Sequence, residues 1–135
     1  MNTTMQKLAA VFGVVFIIVA ILGFIAPNGG MSMQPTDPAT AAKALGIFPV
    51  NLLHNLVHLL FGVWGLVASR SWGWSKSYFT ISGAIYAVLT VCAFLSPSGF
   101  GLVPIGGADI GLHAVLAIAM LAIGLTAKPE AAVTV

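Results

Sequence analysis

The chain has 135 residues, of which 59% are hydrophobic and only 6% are charged, and its formal net charge is +2. A soluble globular domain carries about 25% charged residues, so five basic and three acidic side chains cannot cover a water-facing surface of this size. The composition therefore excludes a soluble domain and indicates a protein that lies in lipid. The small positive charge comes without a basic patch of interleaved aromatic residues, so it does not indicate nucleic-acid binding.

Four apolar stretches follow one another along the chain. They cover residues 7–26, 47–69, 78–96 and 108–127. Each is close to the roughly 20 residues that cross a bilayer core about 30 Å thick, and backbone amides in lipid must pair within their own segment. The expected fold is therefore all-α: a single transmembrane domain over residues 1–135, built as a four-helix bundle in up-down-up-down order.

The first stretch begins at a basic residue, Lys7, as a secretory signal peptide also would. Its apolar run is longer than the roughly 7–15 residues of a signal-peptide core, and no clear A-x-A cleavage site follows, so a spanning helix is favoured. Its small residues, such as Ala9 and Gly13, are typical of helix packing in membranes.

The basic residues predict the orientation. With four spans, one side holds Lys7, Arg70, Lys76 and Lys128, and the other holds Lys43 with Asp37 and Asp109. The positive-inside rule then places both termini in the cytoplasm. Trp72 and Trp74 lie beside this basic boundary, where indole rings favour the headgroup layer.

Two loops are expected on the outer side, at about residues 27–46 and 97–107. In the first loop, Asp37 followed by Pro38 is typical of a helix start, which predicts a short surface helix over about residues 38–45. The second loop is rich in glycine and proline, is uncharged up to Gly107, and is expected to pack on the mouth of the bundle.

The second span carries a polar stripe in the sequence NLLHNLVH. At 100° per residue, its polar side chains share an arc of about 100° on one helix face; they are Asn51, His54, Asn55 and His58. Gly62 and Gly65 continue the same face. Because a neutral imidazole has no partner in lipid, this face is expected to point into the bundle.

The fourth and third spans carry matching polar residues. Asp109 and His113 are four residues apart on one helix face, which Met120 and Gly124 continue. Counted at 1.5 Å per residue, the third span brings Tyr86 to the depth of His58, with Thr90 nearby on the same side of that helix. The predicted result is a polar network in the outer half of the bundle, between helices 2, 3 and 4, that also includes Asn51 and Asn55.

A faint internal repeat relates the two polar helices. LHNLV at 53–57 and LHAVL at 112–116 each lie in the second helix of a predicted hairpin. If a two-fold axis along the membrane normal relates the hairpins, His54 and His113 face each other across it.

The stretches NLLHNLVHLLFGVWGL and GGADIGLHAVLA resemble a family of small four-span bacterial membrane proteins that is classed only as a domain of unknown function. The resemblance extends from the first span to the fourth. It implies a multi-pass protein of the bacterial inner membrane with this four-helix topology, and it implies no activity.

Three interpretations of the polar network stay open. The network can simply tie the helices of a structural or accessory membrane subunit together. Alternatively, His54, His58, His113 and Asp109 can bind a transition metal, with the asparagines as outer hydrogen-bond partners, or the histidines can ligate a haem b for which Gly62 and Gly65 leave room. Thirdly, the network can form a small-ligand or proton pathway that opens to the outside.

An enzyme is less expected than a non-enzyme. The single cysteine, Cys92, excludes an internal disulfide and a C-x-x-C thiol relay, and no nucleophile-base-acid pattern stands out. The expected partners are the lipid bilayer and, because four short spans bury limited surface, a second copy of the chain or a larger membrane complex.

Overall fold

The computed structural model describes residues 3–129. Its four helices are α1 (Thr4–Phe24), α2 (Leu52–Ala68), α3 (Trp72–Leu95) and α4 (Ala108–Thr126). A two-stranded antiparallel hairpin of β1 (Ala42–Ala44) and β2 (Phe48–Val50) lies before α2, and a short 3₁₀ turn (Gly99–Gly101) lies before α4. The all-α prediction is confirmed, because the strands are a small part of a mainly helical chain.

Polar side chains fix where three of the helices begin. Thr3 and Gln6 form a capping box at α1, in which the Gln6 amide donates to Thr3 Oγ1 at 3.3 Å. Asn51 Oδ1 accepts from the His54 amide at 2.8 Å at the start of α2, and Ser71 Oγ accepts from the Trp74 amide at 3.2 Å at the start of α3. Each cap satisfies a backbone donor that the first helical turn leaves free.

The helices pack mainly as two hairpins, α1 with α2 and α3 with α4. Small residues bring the two backbones of each hairpin together. A Cβ on Gly13 would lie 2.8 Å from the Gly62 carbonyl oxygen, and a Cβ on Gly124 would lie 2.7 Å from the Thr80 amide nitrogen. Such close approach of backbones is the usual basis of helix association in membranes.

The outer surface of the helices is apolar. Helices α1, α3 and α4 are long and apolar enough to cross a membrane, whereas α2, with 17 residues, is a shorter apolar helix. Large apolar side chains are exposed along all four helices, among them Val11, Ile18, Leu60, Val88 and Ile118. An apolar surface of this extent is that of a membrane protein, with lipid as its neighbour.

The short helix predicted over residues 38–45 is wrong. Asp37 does accept a hydrogen bond at the predicted place, from the Ala39 amide at 2.9 Å, but the chain turns once and then enters β1. Ala42 pairs with Val50 in the hairpin, and the turn between the strands uses positive φ angles at Leu45 and Gly46. Pairing with β2, a segment outside the predicted helix, decides the conformation here.

Two helix starts differ from the predicted spans. The predicted second span includes residues 47–50, but these lie mostly in β2, and α2 begins only after the extended residue Asn51. Helix α3 begins at Trp72 rather than at residue 78, because Ser71 caps it there. Lys76 therefore lies inside α3, where its Nζ donates to the Ala127 carbonyl at 3.4 Å and lies 5.4 Å from the Trp72 ring.

Candidate metal centre

Three buried side chains from α2 and α4 meet between the two hairpins. His54, Asp109 and His113 each offer one ligand-type atom, and these atoms all lie within 4.8 Å of one another. Their residues are 5%, 1% and 1% exposed. His54 lies in the first turn of α2 and Asp109 in the first turn of α4, so the cluster occupies the end of the bundle where both helices begin.

A backbone carbonyl fixes the orientation of the His54 ring. His54 Nδ1 lies 3.0 Å from the Pro49 carbonyl oxygen. Because a carbonyl oxygen only accepts, Nδ1 carries the proton, and Nε2 presents a lone pair. That Nε2 lies 3.6 Å from Asp109 Oδ2, which is too long for a hydrogen bond.

The cluster concentrates buried polar atoms that lack hydrogen bonds. Within residues 3–129, His54 Nε2, Asp109 Oδ2 and His113 Nδ1 are all buried without a hydrogen-bond partner. A buried polar atom left unsatisfied costs about 1–3 kcal/mol, and more when it is charged. Because one ligand-type atom from each of the three residues also lies within 4.8 Å of the others, the cluster is a candidate for binding a cation.

The arrangement fits a divalent transition-metal ion. Bonds of about 2.0–2.2 Å at tetrahedral angles place neighbouring ligand atoms about 3.4 Å apart. His54 Nε2 and Asp109 Oδ2 are 3.6 Å apart, and the full set of three ligand-type atoms lies within 4.8 Å. A metal-binding histidine usually donates its other N–H to a carbonyl or carboxylate, as His54 does to Pro49. Three protein ligands would leave one coordination position open.

A haem does not fit beside these histidines. The helix α1 fills the space next to both glycines that were predicted to give it room: a Cβ on Gly62 would lie 2.9 Å from the Gly13 carbonyl oxygen, and one on Gly65 would lie 3.0 Å from that of Ala9. The His54 and His113 ring centroids are only 6.1 Å apart, at an interplanar angle of 78°. Other aromatic rings cover them, since Tyr86 lies 5.2 Å from His113 and His58 lies 4.5 Å from His54.

His58 lies beside the cluster but is not one of its three members. Its Nδ1 lies 3.0 Å from the His54 carbonyl oxygen and donates to it, which is a hydrogen bond along one turn of α2. Its ring contacts Phe16, at 5.7 Å between centroids, and lines a cavity between α1 and α4. Of the four residues predicted as metal ligands, the fold brings three together and turns the fourth toward α1.

The side-chain amides of the two asparagines donate hydrogen bonds to loop carbonyls and not to the histidine rings. Asn51 Nδ2 donates to the carbonyls of Met33, at 3.1 Å, and Leu102, at 2.9 Å, so it joins both long loops to the start of α2. Asn55 Nδ2 donates to the Gly30 carbonyl at 2.7 Å. Backbone carbonyls orient His54 and His58 instead. Sequence reasoning missed Pro49 because a carbonyl is present at every residue and carries no side-chain signal.

The remaining predicted residues lie around the cluster in different roles. Tyr86 is 1% exposed, and its ring packs between His113 and a stacked Phe16 at 5.9 Å. Thr90 Oγ1 donates to the Tyr86 carbonyl at 2.8 Å, so its hydrogen bond stays within α3. Gly124 packs against Thr80 and gives the α3–α4 hairpin its close contact.

The geometry extends the likeness between the two hairpins. Gly65 follows His54 by 11 residues, and Gly124 follows His113 by the same number. Each of these glycines contacts the first helix of its own hairpin, and the two histidine rings meet between the hairpins. This is the arrangement expected if the hairpins are related by a two-fold axis.

Long apolar helices around a buried histidine-aspartate cluster define a small helical membrane protein. The chain belongs to the family described as Domain of unknown function (DUF4383), whose model matches residues 6–126. No curated protein and no solved structure matches the chain. The predicted membership of an uncharacterised family is confirmed, and any function has to be argued from the site.

Proposed function

We propose that this is a four-span protein of the bacterial inner membrane that binds one divalent transition-metal ion between its two helical hairpins. The ligands are His54 Nε2, Asp109 Oδ2 and a ring nitrogen of His113. The proposal is carried by two observations on His54, Asp109 and His113. Each residue offers one ligand-type atom, with all three such atoms within 4.8 Å of one another. Each residue also has a buried polar atom without a hydrogen-bond partner in the described part of the chain.

The ligand set favours a transition metal over Mg²⁺ or Ca²⁺. Imidazole nitrogens suit Zn²⁺, Fe²⁺, Co²⁺ and Cu²⁺, whereas the hard ions prefer sites made of oxygen atoms. One aspartate offsets part of the charge of the ion, which lowers the cost of holding that charge in a buried place. The fixed His54 tautomer presents its lone pair without any further rearrangement.

The position of the site supports a structural role for the ion. One ligand comes from α2 and two come from α4, and these helices make few close backbone contacts with each other. An ion at this point joins hairpins that are otherwise held by side chains. The predicted structural or accessory subunit is then a metal-stabilised one, and its assembly into a homo-oligomer or a larger membrane complex stays a prediction.

The proposed topology places both termini in the cytoplasm and the metal centre in the outer half of the membrane. The excess of basic residues on the side of Lys7, Arg70 and Lys76 supports this orientation. Alkaline phosphatase and green fluorescent protein fusions at the C-terminus and within residues 27–46 test it. Phosphatase activity from the C-terminal fusion would contradict the orientation.

Metal content tests the proposed site directly. The full chain is purified in mild detergent from metal-replete cells, its bound metals are measured by mass spectrometry, and the chelator-treated protein is titrated with Co²⁺. We expect one ion per chain and a visible absorption band that saturates at one equivalent. A protein that carries no metal and gives no Co²⁺ band would overturn the proposal.

Variants then locate the ion. Asp109→Asn and His113→Ala should each abolish the Co²⁺ band, because they remove a ligand. His58→Gln is the matched control: it removes a buried imidazole outside the group of three and should leave the band intact. A band that survives Asp109→Asn and is lost in His58→Gln would mean that the ion binds elsewhere.

A further inference from the structure

A second feature of the bundle is an apolar cavity between α1 and α4, here called the His58 cavity. Its volume is about 160 Å³. It is lined by Val11, Phe12, Val15, Phe16, Val19, His58, Leu112 and Leu116. Among these lining residues, all within the described chain, His58 alone has a polar side chain, and the metal centre does not include it.

The size of the cavity selects a class of ligand. A cavity of about 150 Å³ lined by apolar side chains stays dry and accepts a benzene ring, so this one matches a single six-membered aromatic ring. Phe12 and Phe16 supply aromatic neighbours, and aromatic pairs favour edge-to-face or offset contacts. A flat apolar ring is thus the fragment that fills this space with good contacts.

His58 adds one polar requirement. Its Nδ1 donates to the His54 carbonyl at 3.0 Å, so the proton of the neutral ring is on Nδ1 and Nε2 is an acceptor. The residue is only 5% exposed, and its ring forms part of the cavity wall. A ligand that forms a hydrogen bond with His58 Nε2 must therefore bring an O–H or N–H donor to an otherwise apolar site.

The lipid side of α1 gives access to the cavity. Val11 and Val15 line it and are 56% and 50% exposed on the apolar outer surface. A ligand can therefore enter from the membrane core and keep an apolar tail among the lipid chains. This route favours a molecule that dissolves in the bilayer over one that dissolves in water.

We propose that the His58 cavity binds the ring of a membrane-dissolved alkylphenol, whose hydroxyl donates a hydrogen bond to His58 Nε2 while its alkyl tail lies against α1. This site adjoins the metal centre through the contact between His58 and His54. The two sites share no side chain, and neither proposal depends on the other. The phenol is the simplest molecule that combines the ring, the single donor and the tail.

Histidine NMR tests the proposal on the full chain. The chain contains three histidines, so ¹⁵N-histidine labelling in phosphatidylcholine nanodiscs gives few signals to assign. The probe is 4-hexylphenol, and the control is 4-hexylanisole, which has the same ring and tail but lacks the donor. We expect a saturable shift of the His58 Nε2 signal with the phenol and binding about fivefold weaker with the anisole, as one hydrogen bond implies.

Two variants distinguish the contribution of the His58 hydrogen bond to phenol binding from the contribution of the cavity volume. His58→Phe keeps a ring in the wall and removes the acceptor, so we expect it to bind the phenol and the anisole equally, measured by fluorescence quenching or ligand-detected NMR. Val15→Trp fills the cavity from a half-exposed position and keeps His58, so we expect it to lose phenol binding and to keep the Co²⁺ band. This second variant maintains the test if His58→Phe does not fold.

Three results would overturn the proposal. Equal binding of phenol and anisole by the unaltered chain would mean that the cavity accepts any apolar filler. Undiminished phenol binding by Val15→Trp would place the ligand outside the cavity. A titration in which the His58 signal does not move would show that the phenol does not reach it.

Discussion

Contacts within each helical hairpin differ in kind from contacts between the two hairpins. Inside a hairpin, backbones touch: Gly13 of α1 meets Gly62 and Gly65 of α2, and Thr80 of α3 meets Gly124 of α4. Between hairpins, rings and polar groups meet, as in the cluster of His54, Asp109 and His113. Backbone packing is complete without any ligand, whereas the polar cluster leaves buried atoms unsatisfied. The candidate metal-binding cluster therefore lies where the hairpins meet.

The largest expected effect comes from breaking the contact inside a hairpin. In Gly13→Leu, a Cβ would lie 2.8 Å from the Gly62 carbonyl oxygen and 2.8 Å from the Leu66 amide nitrogen, and neither backbone can move away without separating α1 from α2. We expect a loss of more than about 4 kcal/mol in the free energy of unfolding, which is large for one substitution. Denaturant unfolding in detergent, followed by circular dichroism, measures it.

Gly111→Leu is the matched control for that substitution. Gly111 is also a helical glycine, and a Cβ there meets no described atom within 4 Å. It should unfold within about 0.5 kcal/mol of the unaltered chain. If both leucine variants were equally unstable, loss of glycine itself, and not the close backbone contact, would be the cause.

The effect of Asp109→Asn on the free energy of unfolding should change sign when a metal ion is added. Asp109→Asn removes the charge of a carboxylate whose Oδ2 has no hydrogen-bond partner among the described residues. At a pH high enough for Asp109 to be ionised in the metal-free protein, we expect this variant to be more stable by about 2–3 kcal/mol, since a buried unpaired charge is costly. With Co²⁺ or Zn²⁺ present, the unaltered chain should gain stability by mass action and the variant should not.

Unfolding with and without metal measures both halves of that expectation. The two proteins should exchange their order of stability when the ion is added. An Asp109→Asn variant that is less stable than the unaltered chain in both conditions would mean that Asp109 has a protein partner and that the cluster is complete without an ion.

A moderate effect is expected at the outer end of α2. Asn51→Ala removes the cap on the His54 amide and two hydrogen bonds to the loop carbonyls of Met33 and Leu102. We expect a loss of about 2 kcal/mol, against about 1 kcal/mol for the cap-only control Ser71→Ala. Hydrogen exchange should accelerate in both outer loops for Asn51→Ala alone; unchanged exchange there would refute its role in joining them.

The smallest effect is expected at Thr90. Its hydroxyl bonds only to the Tyr86 carbonyl of its own helix, so Thr90→Val should change the stability by less than about 0.5 kcal/mol and leave the Co²⁺ titration unchanged. Loss of the Co²⁺ band in this variant would mean that Thr90 does contribute to the polar network, as the sequence predicts.

The site was predictable to the extent that helical geometry governs it. The spacing of four between Asp109 and His113 places them on one face of α4, and the same rule aligns His54 with His58 on α2. This spacing rule does not predict which of these two histidines contacts the α3–α4 hairpin. The glycine contacts set the rotation of α2 against α1. With this rotation His54 faces α4, and His58 lines the cavity beside Phe16.

Composition and periodicity by themselves determined that the protein is apolar and helical and that its polar residues gather on a few helix faces, because these properties depend on residues close in sequence. Tertiary structure alone decided the hairpin at Ala42–Ala44 and Phe48–Val50, the loop carbonyls that Asn51 binds, and the Pro49 carbonyl that orients His54. Each of these depends on a backbone group that every residue carries, so only the folded chain selects which one is used.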